Sequence, residues 1–150
     1  MTLSRRTLRA ALALVIGILA ACSDAGPTAV DSPAAESLSP GSFHLVSING
    51  RALPYLMLQT PGERVEIASG DLDIQNGWGF KQVLVFGETT SAGYAQRQSG
   101  VAGTYEMAGS RIRFRVSTGE EFTGARLPGG RIEYTVHGNY GELVFLFERD

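Results

Sequence analysis

From Gly41 to the end of the chain, apolar and polar residues alternate in short runs. Alternation with a period of two predicts β-strands with one buried face and one exposed face. The clearest run spans residues 111–116, where Ile112, Phe114 and Val116 share one face and three arginines share the other. Asn-Gly pairs at 49–50 and 76–77 follow such runs and favour tight hairpin turns. The pattern therefore predicts antiparallel strands joined by hairpins.

Eight or nine such runs follow one another, and no stretch after Cys22 has the i, i+3, i+4 spacing of an amphipathic helix. A meander of this length removes its exposed edges by closing on itself. We therefore predict an all-β fold, a single antiparallel up-and-down barrel of about eight strands over residues 41–150. The glycines near 69–70, 100–103 and 138–141 are interpreted as turns, and residues 54–60 as the one place for a helical turn.

The first 21 residues follow a different pattern, with three arginines ahead of an apolar run from Ala10 to Ala21. A spanning helix needs roughly 20 apolar residues, and this run is shorter. A basic start and a short apolar run predict a secretory signal peptide over residues 1–21. The Arg-Arg pair at 5–6 also resembles a twin-arginine export signal, so both export routes fit the sequence.

The apolar run ends in Leu-Ala-Ala-Cys at 19–22, which resembles the lipobox of bacterial lipoproteins. The resemblance implies that Cys22 is acylated, becomes the N-terminus after cleavage, and anchors the protein to a membrane. Cys22 is the only cysteine, so it cannot form an intramolecular disulfide. Ser23 follows it where an aspartate would favour retention in the inner membrane. The resemblance thus implies a cell-envelope protein, on the periplasmic side of the outer membrane where a cell has two membranes.

Residues 22–40 are rich in serine, proline and acidic residues and hold almost no large apolar side chain. Such a segment buries too little surface to offset its ordering entropy, so we predict a disordered tether. Residues 22–150 keep 10 of the 13 basic residues and all 15 acidic residues, a formal charge of −5. Nucleic-acid binders present basic patches, and this balance argues against nucleic acid as a partner.

The opening of the predicted barrel, Gly-Ser-Phe-His-Leu at 41–45, is a Gly-x-aromatic start to a first strand. With the segment at 47–54 it resembles small bacterial lipoproteins that carry a lipocalin-like, or calycin-like, barrel. True lipocalins have Trp where this chain has Phe43. The run into an Asn-Gly turn also resembles the META-type lipoprotein domain, whose Gly-Cys-Asn element is absent here. The likeness extends over residues 41–149 by strand pattern.

An eight-stranded barrel is either filled by its own side chains or holds one small ligand. The leading functional prediction is non-catalytic binding of a small apolar ligand at the envelope; a packed core is the alternative interpretation. The inward positions predicted to line such a pocket are Phe80, Leu84, Tyr105, Phe114, Tyr134 and Phe145.

Arg111, Arg113 and Arg115 form a cationic stripe on the outer face of their strand. This stripe, or the loops, could serve a protein–protein interaction or inhibitor module, which is the second functional hypothesis. The alternative is a solvated face whose arginines pair with Glu121 or Glu133 across the sheet.

The sequence predicts no catalytic residue, metal site or cofactor. His44 and His137 are the only histidines, and neither has a neighbour at metal-ligand spacing. No Gly-x-Ser-x-Gly nucleophile elbow occurs. A hydrolase is the least favoured hypothesis, because it requires a histidine within about 3 Å of a serine and of a carboxylate.

Overall fold

The computed structural model describes residues 37–138 and 141–150. It contains ten strands: β1 (Gly41–Ile48), β2 (Arg51–Ala52), β3 (Tyr55–Gln59), β4 (Glu63–Ile74), β5 (Gly79–Thr90), β6 (Gly93–Ala108), β7 (Arg111–Val116), β8 (Glu121–Arg126), β9 (Ile132–Gly138) and β10 (Gly141–Arg149). The described residues contain no α-helix, only a 3₁₀ turn at Pro128–Gly130. No helix in them is long and apolar enough to span a membrane.

Eight of these strands form a closed barrel. Strands β4 to β10 pair antiparallel in chain order, and β1 pairs with both β10 and β4. The predicted all-β, up-and-down barrel is therefore confirmed, and its architecture is compatible with a lipocalin-like fold. The short strands β2 and β3 extend the sheet beside β1 and β4.

The register of the ladders places the predicted apolar faces in the interior. Phe114 of β7 lies opposite Tyr105 of β6 and Phe122 of β8, and partners directly opposite each other share a face. Ile112, Phe114 and Val116 are all buried, as the alternation predicted.

One end of the barrel, which we call the closed end, is covered by the segment that leads into β1. Leu38 is only 3% exposed and belongs to the core. Its carbonyl accepts a hydrogen bond of 3.4 Å from the Tyr105 hydroxyl, and the Tyr105 ring lies 5.5 Å from that of Trp78. Leu38 lies inside the predicted tether of residues 22–40, so the folded structure extends further towards the N-terminus than Gly41. The rest of the predicted tether, the predicted signal peptide and Cys22 lie outside the described residues.

Two of the predicted turns are wrong. Ser69 and Gly70 lie within β4, and the stretch from Gly100 to Gly103 lies within β6. A Cβ on Gly70 would lie 2.6 Å from a methyl carbon of Leu84, and one on Gly103 would lie 1.9 Å from the Arg115 carbonyl oxygen. These glycines therefore permit close packing between strands. Residues 55–59 form strand β3 instead of a helical turn.

Strands β4, β5 and β6 are longer than their neighbours and extend beyond the opposite end of the barrel, which we call the open end. The ladder between β6 and β7 covers residues 103–108 of β6, whereas residues 93–102 pair with β5 alone. The turn between β7 and β8 and the end of β9 also lie at the open end, since successive strands run in opposite directions. This unequal strand length leaves residues 93–102 of β6 without a β7 partner.

Candidate ligand-binding cavity

The open end contains a cavity of about 710 Å³. Its apolar wall comes from inward-facing side chains of six strands, β5 to β10: Leu84, Val101, Val116, Phe122, Val136 and Phe145. Its polar lining consists of Gln82, Glu120, Glu121, Thr123, Thr135 and His137. Ligand pockets in proteins have volumes of roughly 300–1,000 Å³ and combine apolar walls with a few polar groups. The cavity is of the size and composition that hold a small molecule.

The cavity opens sideways between β8 and β9. The ladder between these two strands ends at the pair Thr123–Thr135. Strand β8 begins two residues before Thr123, and β9 continues three residues beyond Thr135. Glu121 and His137 lie on the outer face of their strands. Because the strand ends are separated here, both residues also line the cavity. We call this gap the mouth.

A layer of aromatic rings closes the cavity on the side of the closed end. Tyr134 is the centre of this layer, with its ring centroid 4.7–5.6 Å from those of Phe114, Phe122, Phe145 and Phe147. These separations are typical of favourable aromatic pairs. Gly124 lies directly opposite Tyr134, where a Cβ would lie 2.7 Å from the Tyr134 Cβ. The missing side chain at Gly124 therefore makes room for the Tyr134 ring.

Two polar side chains are buried at the boundary between the aromatic layer and the cavity. Gln82 is 6% exposed and lines the cavity. The buried Tyr134 hydroxyl lies close enough to Gln82 for the amide to influence its pKa, yet it forms no hydrogen bond of good geometry. Burial raises the pKa of Tyr134 well above 10, which outweighs the lowering effect of Gln82, so the phenol is neutral and can donate.

An unpaired buried hydroxyl is costly, since it gives up hydrogen bonds to water without replacement. The cost of such a group is about 1–3 kcal/mol. Phenylalanine would fill the same space at position 134 without that cost. The structure thus keeps an amide and a phenol beside an apolar cavity where folding alone does not require them.

The charges at the mouth are mainly negative. The Arg115 guanidinium lies 2.9 Å from the carboxylates of both Glu106 and Glu121. Glu120 accepts a hydrogen bond of 3.3 Å from the Thr118 hydroxyl and forms no ion pair among the described residues. The imidazole of His137 lies 3.7 Å from the carboxylate of Glu142.

The six predicted ligand-lining residues all face the interior, but they divide between two regions. Leu84 and Phe145 line the cavity. Phe80, Phe114 and Tyr134 lie in the packed aromatic layer, and Tyr105 lies at the closed end beside Trp78. Two of the six residues thus line the cavity, and the other four lie among packed aromatic rings.

Several lining residues were absent from the predicted set. Val116, Phe122 and Val136 have the inward parity of their strands, so the alternation already pointed to them. Gln82 could have been found as the polar residue at an inward position between Phe80 and Leu84. Val101 could not, because the glycines that flank it were interpreted as a turn.

The other predicted features lie elsewhere on the surface. Arg115 pairs with Glu121, as the alternative interpretation of the arginine stripe predicted, whereas Arg111 and Arg113 form no ion pair among the described residues and border a surface groove of about 490 Å³. His44 forms a 2.7 Å contact with Asp150 on the exposed face of β1. Neither histidine contacts a serine among the described residues, and these residues contain no cluster suited to a metal ion.

Comparisons with known proteins give no relative. No family model matches the chain, and no curated protein or solved structure is significantly similar to it.

Proposed function

We propose that this chain is a non-catalytic binding protein that holds one small, largely apolar ligand in the cavity at the open end of the barrel. The observation that carries the proposal is the cavity itself, about 710 Å³ with six apolar side chains on its wall. The Gln82 amide, which is buried and lines the cavity, would receive a hydrogen-bonding group of the ligand.

The burial of the Gln82 amide supports a ligand over an incidental void. Apolar cavities without a partner cost stability, because their lining atoms lose packing contacts. A ligand that fills the space restores the lost packing contacts and can bond to Gln82, which gives binding a clear source of free energy.

The test is the binding of N-phenyl-1-naphthylamine, an uncharged apolar dye whose fluorescence rises in apolar surroundings. We expect saturable binding to the purified protein. Leu84→Trp would fill the cavity and abolish the rise, while Val85→Trp, on the next residue and the opposite face of β5, would leave it unchanged. Absence of binding to the unsubstituted protein, or equal loss in both variants, would contradict the proposal.

We further propose that the protein acts while tethered to a membrane of the cell envelope through acylated Cys22, facing the periplasm from the outer membrane where a cell has one. The lipobox-like residues 19–22 support this. Two or more acyl chains give lasting attachment, since each buried methylene adds about 0.8 kcal/mol. Labelled palmitate should be incorporated into the protein and lost in Cys22→Ser. Equal incorporation of palmitate into Cys22→Ser and into the unsubstituted protein would contradict anchoring through Cys22.

A protein–protein interaction module is the second candidate, favoured by Arg111 and Arg113. These two guanidinium groups border the 490 Å³ surface groove together with Glu133 and, in the described residues, are not neutralised by an ion pair. Capture of one envelope protein that is lost in the double variant R111E/R113E, but kept in L84W, would favour this candidate over ligand binding.

A further inference from the structure

The lining of the cavity carries charges of one sign at its mouth. Glu120 and Glu121 both line the opening, and among the described residues no lysine or arginine lines the cavity. An amphiphile that enters the cavity with its apolar body must leave its polar end near this mouth. The charge of the mouth therefore bears directly on which amphiphiles can bind.

The arginine nearest the mouth does not neutralise it. Arg115 contacts Glu121 and Glu106 at the same distance of 2.9 Å, so one guanidinium group serves two carboxylates. Glu120 has only the Thr118 hydroxyl as a partner in the part of the chain that the structure describes. Arg115 thus divides its charge between Glu121 at the mouth and Glu106 outside the lining, and Glu120 forms no ion pair among the described residues.

The histidine at the mouth does not reverse this balance. The His137 imidazole lies 3.7 Å from the Glu142 carboxylate, and both side chains are well exposed. A neutral His137 leaves the Glu142 charge in place, whereas a protonated His137 is balanced by it. In either state the carboxylates among the residues that line the cavity, Glu120 and Glu121, outnumber the cationic groups that line it.

From these contacts we propose that the cavity selects amphiphiles with a cationic head, such as an alkylammonium group, over those with a carboxylate head. This inference rests on the proposed ligand-binding function. The alkyl part would lie against Leu84, Val101 and Val136, and the ammonium group would lie beside Glu120, whose charge has the least compensation. A carboxylate in that position would meet like charge and gain no pairing with an arginine or lysine of the lining.

The test displaces bound N-phenyl-1-naphthylamine with three probes of equal chain length: dodecyltrimethylammonium, dodecanol and dodecanoate, each below its micelle concentration. We expect the cation to displace the dye at about one tenth of the dodecanoate concentration at low ionic strength, because tenfold corresponds to about 1.4 kcal/mol, within the range for a charge pair near a protein surface. Dodecanol should fall between them. At 1 M salt, where the Debye length is about 3 Å, the spread should shrink to about twofold.

Three variants assign the preference to the mouth. Glu120→Gln should remove most of the difference between cation and anion, and Glu121→Gln should remove part of it. Glu148→Gln is the matched control, since it removes a carboxylate near the closed end of β10 that does not line the cavity. We expect it to leave the preference within about twofold of the unsubstituted protein.

The possible results separate this inference from the function on which it rests. Failure of the dye to bind overturns both. Dye binding with equal displacement by the three probes, or with dodecanoate as the strongest, overturns the inference alone. A cation preference that persists in Glu120→Gln and at 1 M salt overturns the role of the mouth charges. The variant L84W has its cavity filled. If the cation also binds directly to L84W, it adsorbs to the surface of the protein, and the inference is overturned as well.

Discussion

The two ends of the barrel are built from the same alternation of inward and outward residues, yet one is solid and the other is hollow. From the aromatic layer to the closed end, inward residues such as Phe80, Phe114 and Ile132 are completely or almost completely buried, and Leu38 covers that end. At the open end, Leu84, Val101 and Val136 are only partly buried and surround the cavity. The comparison shows that inward direction and dense packing are separate properties.

The difference follows from side-chain size and from the lengths of the strands. The aromatic rings around Tyr134 span the width of the barrel at its middle. Between this layer and the open end, the inward apolar residues include valine and leucine, whose side chains are too short to touch each other across the barrel. The long strands β4–β6 then extend past β7, so residues 93–102 of β6 pair with β5 alone beside the cavity.

The largest expected effect belongs to the aromatic layer. Phe114→Ala should lower the free energy of unfolding by about 3–5 kcal/mol, because the ring is fully buried and packs on Phe80, Phe122 and Tyr134. Urea unfolding followed by circular dichroism measures this. A loss below about 1 kcal/mol would show that the layer is not densely packed.

The second-largest expected loss of stability tests whether Leu38 covers the closed end. Leu38→Ala should cost about 2 kcal/mol of unfolding free energy, the lower part of the range for a buried leucine. Ser39→Ala, at the exposed neighbouring position, should change it by less than about 0.5 kcal/mol. Equal, negligible effects in the two variants would mean that residues 37–40 belong to the tether after all.

Tyr134→Phe is expected to separate stability from binding. Loss of the unpaired hydroxyl should raise the unfolding free energy by about 1 kcal/mol at neutral pH. The hydroxyl is buried and does not line the cavity, so the same change should leave binding of the dye unchanged. A clear loss of stability would indicate that the hydroxyl has a partner in the folded protein.

The same tyrosine sets the expected dependence of stability on alkaline pH. Burial raises the pKa of Tyr134 well above 10 and that of Tyr105 above 10, whereas both ionise near pH 10 in the unfolded chain. The unfolded chain therefore loses its protons first, so stability holds below about pH 10 and falls as the pH rises further. Tyr134→Phe should make the fall shallower in unfolding measurements between about pH 9 and 11. An unchanged slope would place the ionising group elsewhere.

The smallest effect on stability belongs to the open end. Leu84→Ala should cost less than about 1 kcal/mol, since the side chain already borders empty space. Its effect should be seen instead in weaker dye binding. A cost as large as that of Phe114→Ala would mean that the open end is as densely packed as the closed end.

The sequence predicted the inward direction of Phe80, Phe114, Tyr134 and Phe145, because alternation is a local property of each strand. It could not show that Gly70 and Gly103 continue their strands, since the reason lies in the Leu84 side chain and the Arg115 carbonyl of neighbouring strands. Leu38 is a single apolar residue in a polar segment, and only the fold gives it a place. The cavity depends on which side chains meet across the barrel, and no single strand contains that information.

The central claim, that a ligand enters the open end and leaves the closed end unchanged, is tested most directly by methyl NMR during titration with N-phenyl-1-naphthylamine. The methyl signals of Leu84, Val101, Val116 and Val136 should shift and saturate together, while those of Leu38, Ile112 and Ile132 should stay in place. Shifts confined to the second group, spread evenly over both, or absent altogether would contradict the account.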